Sequence, residues 1–378
     1  MINPKPTGMN KPIVIAHRGA SAYVPEHTLE SYRLAIEQGA DFIEPDLVLT
    51  RDGVLLARHE NELGGTTDVA EHSQFTDRKT TKKVDGRTVK GWFSEDFTLA
   101  EIKQLRARER IPEIRPDNIR YDGQYHIPTF KEVLILLSDY ERRTGKQIGV
   151  YPETKHPTYF EHEGCYLDGE AIGQSISLKL VSELKAQEFI DPCRVFIQSF
   201  EVGNLIQLAN EIMPKAGIKL PLIQLLGDLQ GTLQNADTTP YDLIFHHQRP
   251  RTGIGAYEVL EKQIGVSSQG FKYVDLLKPK GIKFMFEHYA SGLGPAKDSL
   301  LQSTGQLPSW ASLALEIGLG IHPYTLRKET IFLSPNTDHD PNGMEYEMKR
   351  LLDMGVTGFF TDFPDVGVAV IERWLSKT

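Results

Sequence analysis

Cysteine is nearly absent from this chain of 378 residues: there are two, Cys165 and Cys193, and neither sits in a C-x-x-C pair or a zinc-ligand spacing. A thiolate metal site and a disulfide-stapled scaffold are thereby excluded. Two separate thiols are expected, with a bridge open only in an oxidising compartment. Long apolar runs are also missing. None approaches the ~18 residues of a membrane span. The only apolar stretch near the start, Ile13 to Ala16, is shorter than a signal-peptide core of ~7–15 residues. Two expectations therefore stay open: the protein is cytoplasmic if Met1 is the native start, or a leader was removed. A basic block is lacking too. Lys and Arg number 42 against 51 Asp and Glu, a net charge of -9. A duplex-binding face needs clustered cations, so nucleic acid is not the expected partner. The densest cationic stretch, Arg78 to Lys90, is interleaved with Thr and Asp and reads as a solvated loop.

What is present is an ordinary globular composition, 40% hydrophobic and 25% charged. Short apolar runs recur, and each ends in chemically capable residues. Ile13 to Ala16 ends in His17-Arg18-Gly19, and Phe42-Ile43 in Glu44-Pro45-Asp46. Ile148 to Tyr151 ends in Pro152-Glu153, and Val195 to Ile197 in Gln198-Ser199. Gly320-Ile321 leads to His322, and Gly358 to Phe360 leads to Thr361-Asp362. Runs without polar alternation read as strands buried on both faces of a parallel sheet. Between them lie helical periodicities over Thr28 to Gln38, Thr129 to Thr144, Ala171 to Ala186 and Glu345 to Met354. The alternation is α/β. Polar residues at the C-terminal ends of six strands favour a (β/α)8 TIM barrel over an open sheet, where fewer strands serve one site. The expected organisation is one barrel domain over 1–378. The misfit segment 60–126 is a small insertion at its mouth, after the second strand. The stretch 227–281 is hardest to parse, and strands five and six are placed there loosely.

Glu44 and Asp46 are two apart, so on a strand they share a face. Carboxylates held that close need a cation or a proton between them. Glu153, at a later strand end, offers a third. Oxygen ligands without cysteine suit Mg2+ or Ca2+ rather than zinc. A pair of this kind taken alone also fits a charged surface. His17 and His59 each follow an apolar stretch. Either alone fits a structural hydrogen bond, but two beside carboxylates fit proton transfer near neutral pH. Arg18 has a planar fork that matches phosphate oxygens, and Lys155 adds a positive charge. A surface ion pair is the plain alternative for each.

At this point a family likeness is visible. His17-Arg18-Gly19-Ala20, Pro25-Glu26-His27-Thr28, Glu44-Pro45-Asp46, Thr50-Arg51-Asp52-Gly53 and His59 resemble the signature of the glycerophosphodiester phosphodiesterase family. Glu153-Thr154-Lys155, Gln198-Ser199-Phe200, His322-Pro323-Tyr324-Thr325 and Thr361-Asp362-Phe363-Pro364 are similar to its later motifs. The nearest resemblance is to the larger bacterial enzymes of secreted or periplasmic type, which implies a periplasmic or secreted protein if a leader was removed. The resemblance implies a barrel with an insertion after the second strand. It implies one divalent cation, Ca2+ or Mg2+, on Glu44, Asp46 and Glu153, with His17 and His59 as acid and base and Arg18 on the phosphate. Glu26, Lys155, Gln198 and Tyr324 are the further substrate-binding candidates, with a core or capping role open for Gln198, Tyr324 and Asp362. The implied substrate is a small glycerophosphodiester such as glycerophosphocholine, cleaved to sn-glycerol 3-phosphate and an alcohol. In the implied route the glycerol 2-hydroxyl attacks phosphorus, and water then opens the cyclic phosphate. One departure stands out: the family usually has Asn where this chain has His27, which reads either as an added cation or as a structural substitute.

Two other readings remain on the same residues: a phospholipase D acting on intact lipid, and a barrel that binds a phosphorylated polyol without turning it over. The first needs a lipid-facing surface, for which Trp92, Phe93 and Phe97 are candidates. The pairs His162-Glu163 and His246-His247 are read as loop residues. Asp338-His339-Asp340 begins like a calcium loop, but Lys349 stands where a bidentate Glu is required. Oligomeric state is not fixed by the sequence.

Overall fold

A computed structural model of the protein describes residues 11–229, 238–249, 256–267, 269–301, 306–335, 337 and 342–377. The opening of the calcium-loop look-alike, Asp338 to Asp340, falls outside them. The chain forms two compact units: a first of 16–190 with 362–364, and a second of 1–15, 191–361 and 365–378.

The first unit begins where strand β1 (Ile13–His17) delivers Ala16 and His17. Helix α1 (Leu29–Glu37) starts at Thr28, whose side chain accepts from the Ser31 N–H, and buries Tyr32, Ala35 and Ile36 at i, i+3 and i+4. Strand β2 (Phe42–Glu44) and strand β3 (Asp46–Leu49) are the two halves of what the sequence suggests as one strand. Pro45 interrupts it because it has no N–H to give a ladder. Its carbonyl still accepts from the Glu153 N–H at 3.0 Å. Strand β4 (Leu55–Ala57) runs antiparallel to β3, with Leu47 opposite Ala57. Strands β5 (Thr80–Val84) and β6 (Arg87–Gly91) form a hairpin closed by Asp85-Gly86, both at positive φ as a tight Asp-Gly turn requires. Helix α2 (Leu99–Ile102) is a single turn, and helix α3 (Phe130–Thr144) is closed by a Thr129–Glu132 capping box and a left-handed Gly145. Strand β7 (Gly149–Val150) pairs parallel with β2, and strand β8 (Glu153–Thr154) with β3, Asp46 opposite Glu153. A Cβ at Gly149 would lie 2.1 Å from the Phe42 ring, so that pairing depends on glycine. Helix α4 spans Ile176–Ala186 with Ser175 as cap. It begins later than its periodicity suggests, because Ala171 is bridged to Cys165 and Gly173 takes a positive φ.

The second unit holds a parallel run of β9 (Ile197–Ser199), β10 (Leu222–Leu225), β11 (Ala290–Gly294) and β12 (Gly320–Ile321). Every residue of the first three is buried, as doubly covered parallel strands must be. Strand β13 (Gly358–Thr361) also lies in this unit but belongs to a different sheet from that run. The loose placement of strands within 227–281 is corrected. The strands lie at 222–225 and 290–294, and the described residues between them form helices such as Tyr241–Gln248 and Pro279–His288. Apolar residues there bury one helical face rather than two sheet faces. His246 and His247 sit in the first of these helices, and His162 and Glu163 in the helical turn Tyr159–Glu163, so neither pair is a loop. Both cysteines are exposed, and neither is in a disulfide.

Candidate active site

Three strand ends converge in the first unit. Glu44 ends β2, Asp46 opens β3 and Glu153 opens β8, and one oxygen from each lies within 4.8 Å of the others. Glu44 and Asp46, two apart, face this point together, and the parallel ladder continues past Pro45 through its carbonyl. All three are buried, at 1%, 1% and 6% exposure. Burial pushes the Glu44 carboxyl well above its ordinary range, and the charges of Asp46 and Glu153 push it further. Burial likewise raises Glu153, to about 8, against the pull of Lys155. Asp46 goes the other way: burial penalises its charge, but His59, Lys155 and the hydrogen bond from His27 outweigh this and hold it low. Asp46 Oδ1 is buried without a hydrogen-bond partner. Three hard oxygens and an orphaned carboxylate oxygen fit a divalent cation of the Mg2+ or Ca2+ kind.

His59 lies within electrostatic reach of Asp46, and His17 precedes Arg18, whose backbone N–H donates to Glu44; each histidine has a carboxylate on Nδ1. For His17 it is Asp362, 2.6 Å away. For His59 it is the neighbouring Glu60. Lys155 Nζ lies 3.3 Å from His59 Nε2 and 2.8 Å from Glu153 Oε1. An ammonium only donates, so His59 Nε2 accepts and carries no proton. Burial, with the Arg18 and Lys155 charges, depresses His59 to about 3 against the opposing pull of Glu60. The ring keeps 29% of its side chain exposed, so it is neutral yet reachable.

Guanidiniums fix the loops between these groups. Arg18 and Gly19 both take positive φ, turning the chain sharply after β1. A Cβ at Gly19 would lie 2.4 Å from Ser31 Oγ, so only glycine fits there. The turn aims the Arg18 N–H at Glu44 Oε2, 2.9 Å, while its guanidinium reaches Glu26 at 3.0 Å. Arg110 grips Glu26 and Glu60 with two bonds each, 2.6–3.0 Å. Burial works to raise the Glu26 carboxyl, but Arg110 and Arg18 outweigh it and hold it well below the ordinary range. Arg58, 1% exposed, donates to the carbonyls of Ala57, Glu26 and His27. Arg115 donates to Asp362 Oδ2 at 2.7 Å, bracing the carboxylate behind His17.

Of the residues singled out in the sequence, His17, Arg18, Glu26, Glu44, Asp46, His59, Glu153 and Lys155 all belong to the first unit; the contacts above join the last seven, and His17 is tied through Asp362 to Arg115. Gln198 and Tyr324 belong to the second. Gln198 lies buried in β9, and the Tyr324 hydroxyl donates to the Leu226 carbonyl at 2.7 Å with its ring edge-on to Phe200. Sequence reasoning missed Arg58, Glu60, Arg110 and Arg115. Arg58 and Glu60 adjoin His59 and could have been found by their place beside a candidate. Arg110 and Arg115 lie in a stretch with no periodicity or motif to mark them.

The glycerophosphoryl diester phosphodiesterase family model matches residues 17–244 and 255–366. A glycerophosphodiester phosphodiesterase of Arabidopsis thaliana is 32% identical, covering 95% of this chain and 86% of that protein. One of Haemophilus influenzae is 31% identical, covering 95% and 90%. Among solved structures, an Oleispira antarctica phosphodiesterase in complex with the product sn-glycerol-3-phosphate superposes with TM-score 0.56 at 19% identity, over 96% of this chain and 97% of that one. A glycerophosphodiester phosphodiesterase from Agrobacterium tumefaciens gives TM-score 0.52 at 17% identity, over 95% and 99%. These likenesses establish the fold class as the α/β, (β/α)8 barrel expected from the sequence. With a family match over most of its length and relatives above 30% identity along nearly all of it, the chain belongs to the glycerophosphoryl diester phosphodiesterase family and is a glycerophosphodiester phosphodiesterase.

Proposed function

We propose that the enzyme hydrolyses glycerophosphodiesters, glycerophosphocholine among them, to sn-glycerol 3-phosphate and an alcohol, with Glu44, Asp46 and Glu153 holding one Ca2+ or Mg2+ and His17 and His59 exchanging protons. One observation carries this reading: a buried trio of carboxylates and two histidines, each with a carboxylate on Nδ1, lie in the same unit of the fold. The Oleispira relative's complex with sn-glycerol-3-phosphate supports the product class.

A bound cation would supply charge neutralisation at the phosphoryl oxygens and the glycerol hydroxyls. The protein's own groups do the rest. His59, whose Nε2 carries no proton and accepts from Lys155 in the structure, takes the proton of the attacking 2-hydroxyl when that hydroxyl replaces the lysine. His17, with Asp362 stabilising its charged ring, gives a proton to the departing alcohol oxygen as the P–O bond breaks. In the second step His17 takes a proton from water and His59 returns one to the 2-oxygen, so both rings end as they began. Lys155 and Arg18 add positive charge where the phosphate gains negative charge. The segment 60–126 is proposed as an insertion that braces this site, through Arg110 on Glu26 and Arg115 on Asp362.

Two observations favour this over the other readings. Trp92, Phe93 and Phe97 are at most 7% exposed, so they offer no lipid-facing surface. The Trp92 indole N–H donates inward to the Phe75 carbonyl. A binder without turnover has no use for two histidine–carboxylate pairs. The test is release of glycerol 3-phosphate from glycerophosphocholine by wild type, His17→Ala and His59→Ala. Each variant is expected to lose at least ~10²-fold in kcat while staying folded. Near-wild-type turnover in both would remove the acid/base assignment.

A further inference from the structure

Beyond the groups already given roles, the most informative is His27, at the position where the resembled family reads Asn. It is wholly buried. Its backbone is held on both sides: its N–H donates to the Arg18 carbonyl at 3.0 Å, and its own carbonyl accepts from Arg58 at 2.9 Å. The φ of 54° is unusual for a residue with a side chain, so the backbone is set by these bonds and not by preference. The ring makes two contacts. Nε2 lies 2.9 Å from Asp46 Oδ2, and Nδ1 lies 2.7 Å from the Tyr32 hydroxyl. A carboxylate only accepts, so Nε2 carries the hydrogen, and in the neutral ring Nδ1 then accepts from Tyr32. Tyr32 is itself fully buried on α1.

We propose that His27 is a positioning residue for the cation site: backed by Tyr32, it fixes the rotation of Asp46 so that Oδ1 is presented for coordination. The inference rests on the reading of Glu44, Asp46 and Glu153 as cation ligands. Asp46 has two oxygens, and the imidazole takes one. The other, Oδ1, is buried and has no hydrogen-bond partner. Arg18 Nε, 3.4 Å from Oδ2, is too far to fix the carboxylate instead. Hydrogen bonds behind a metal ligand set its orientation, and removing them weakens metal affinity by ~10–100-fold in comparable sites. A Tyr–His pair reaches farther than a lone amide, so this chain anchors Asp46 on helix α1.

The test is calorimetric titration of Ca2+ and of Mg2+ into wild type, His27→Phe, His27→Asn, Tyr32→Phe and the double variant His27→Asn/Tyr32→Phe, each also assayed for kcat and KM. His27→Phe is expected to weaken cation affinity ~10–100-fold, and Tyr32→Phe by less, with kcat recovered at saturating cation. His27→Asn is expected to restore part of the affinity and to make Tyr32→Phe without effect, because an amide no longer calls on the hydroxyl. Should His27→Phe misfold, the Tyr32→Phe pair decides alone. Cation binding by His27→Phe or Tyr32→Phe equal to wild type overturns the positioning role, as does a Tyr32→Phe effect that persists unchanged when the double variant is compared with His27→Asn. Failure of wild type to bind either ion overturns the cation site itself, and this inference with it.

Discussion

His17 Nδ1 lies 2.6 Å from Asp362 Oδ1, though the two residues are 345 positions apart. The other oxygen of Asp362 is held by Arg115 at 2.7 Å. A carboxylate so fixed selects one tautomer of the imidazole and stabilises its charged form. Asp362→Asn should therefore cost ~10²–10⁴-fold in kcat with little change in KM, as wrong-tautomer variants do. Steady-state kinetics on the folded variant checks this, and a loss below tenfold would mean that His17 is oriented by something else.

The carboxylate trio makes a prediction about protons. Burial and neighbouring charge raise Glu44, and raise Glu153 to about 8, so protons must leave when a cation enters. Below about pH 8 cation affinity should fall as pH falls. Calorimetry at pH 7 in buffers of different ionisation enthalpy should report net proton release. Binding heats that do not depend on the buffer would show that the carboxylates are already ionised.

Arg110 separates Glu26 from Glu60 and neutralises both. Arg110→Met leaves Glu26 to Arg18 alone. Its side chain is 28% exposed, so the full penalty of a broken buried pair is discounted to about 1–3 kcal/mol. Urea unfolding measures it, and an unchanged midpoint would show that solvent compensates the two carboxylates.

His322, in the second unit, gives a stability test apart from catalysis. Burial alone depresses it to about 4, below the ~6.5 of an unfolded chain. A depressed histidine is neutral when folded, so its contribution is complete above about pH 6.5. It is lost as pH falls through the window toward about 4, at about 1.4 kcal/mol per pH unit. His322→Gln lacks this loss, so the stability gap between variant and wild type should be flat above pH 6.5 and shift in the variant's favour below it. A gap independent of pH from 7 to 4.5 would mean that the ring does not titrate on unfolding.

The parts of this molecule legible in its sequence are those set by local chemistry. Thr28 and Thr129 as caps, Gly145 as a stop, and the polar residues closing buried apolar runs all declare themselves within a few positions. Glu44, Asp46 and His59 were readable because they end such runs. What escaped is what long-range contact decides. Arg115 matters through Asp362, 247 positions away, and Arg110 through Glu26, 84 away. Neither has a neighbour in sequence to mark it. Strands β10 and β11 were misplaced because the stretch between them is apolar on helical faces, and a short apolar run does not say which period it belongs to. The substitution at His27 was visible, but its link to Tyr32 and Asp46 required the fold.

The most direct test of the account is glycerol 3-phosphate release from glycerophosphocholine by wild type, first with a chelator and then with Ca2+ or Mg2+ restored. The account predicts that the chelator abolishes release, that one ion restores it, and that Glu44→Gln and Glu153→Gln cannot be rescued at the same ion concentration. Full turnover in a protein shown by elemental analysis to be free of divalent metal would contradict it.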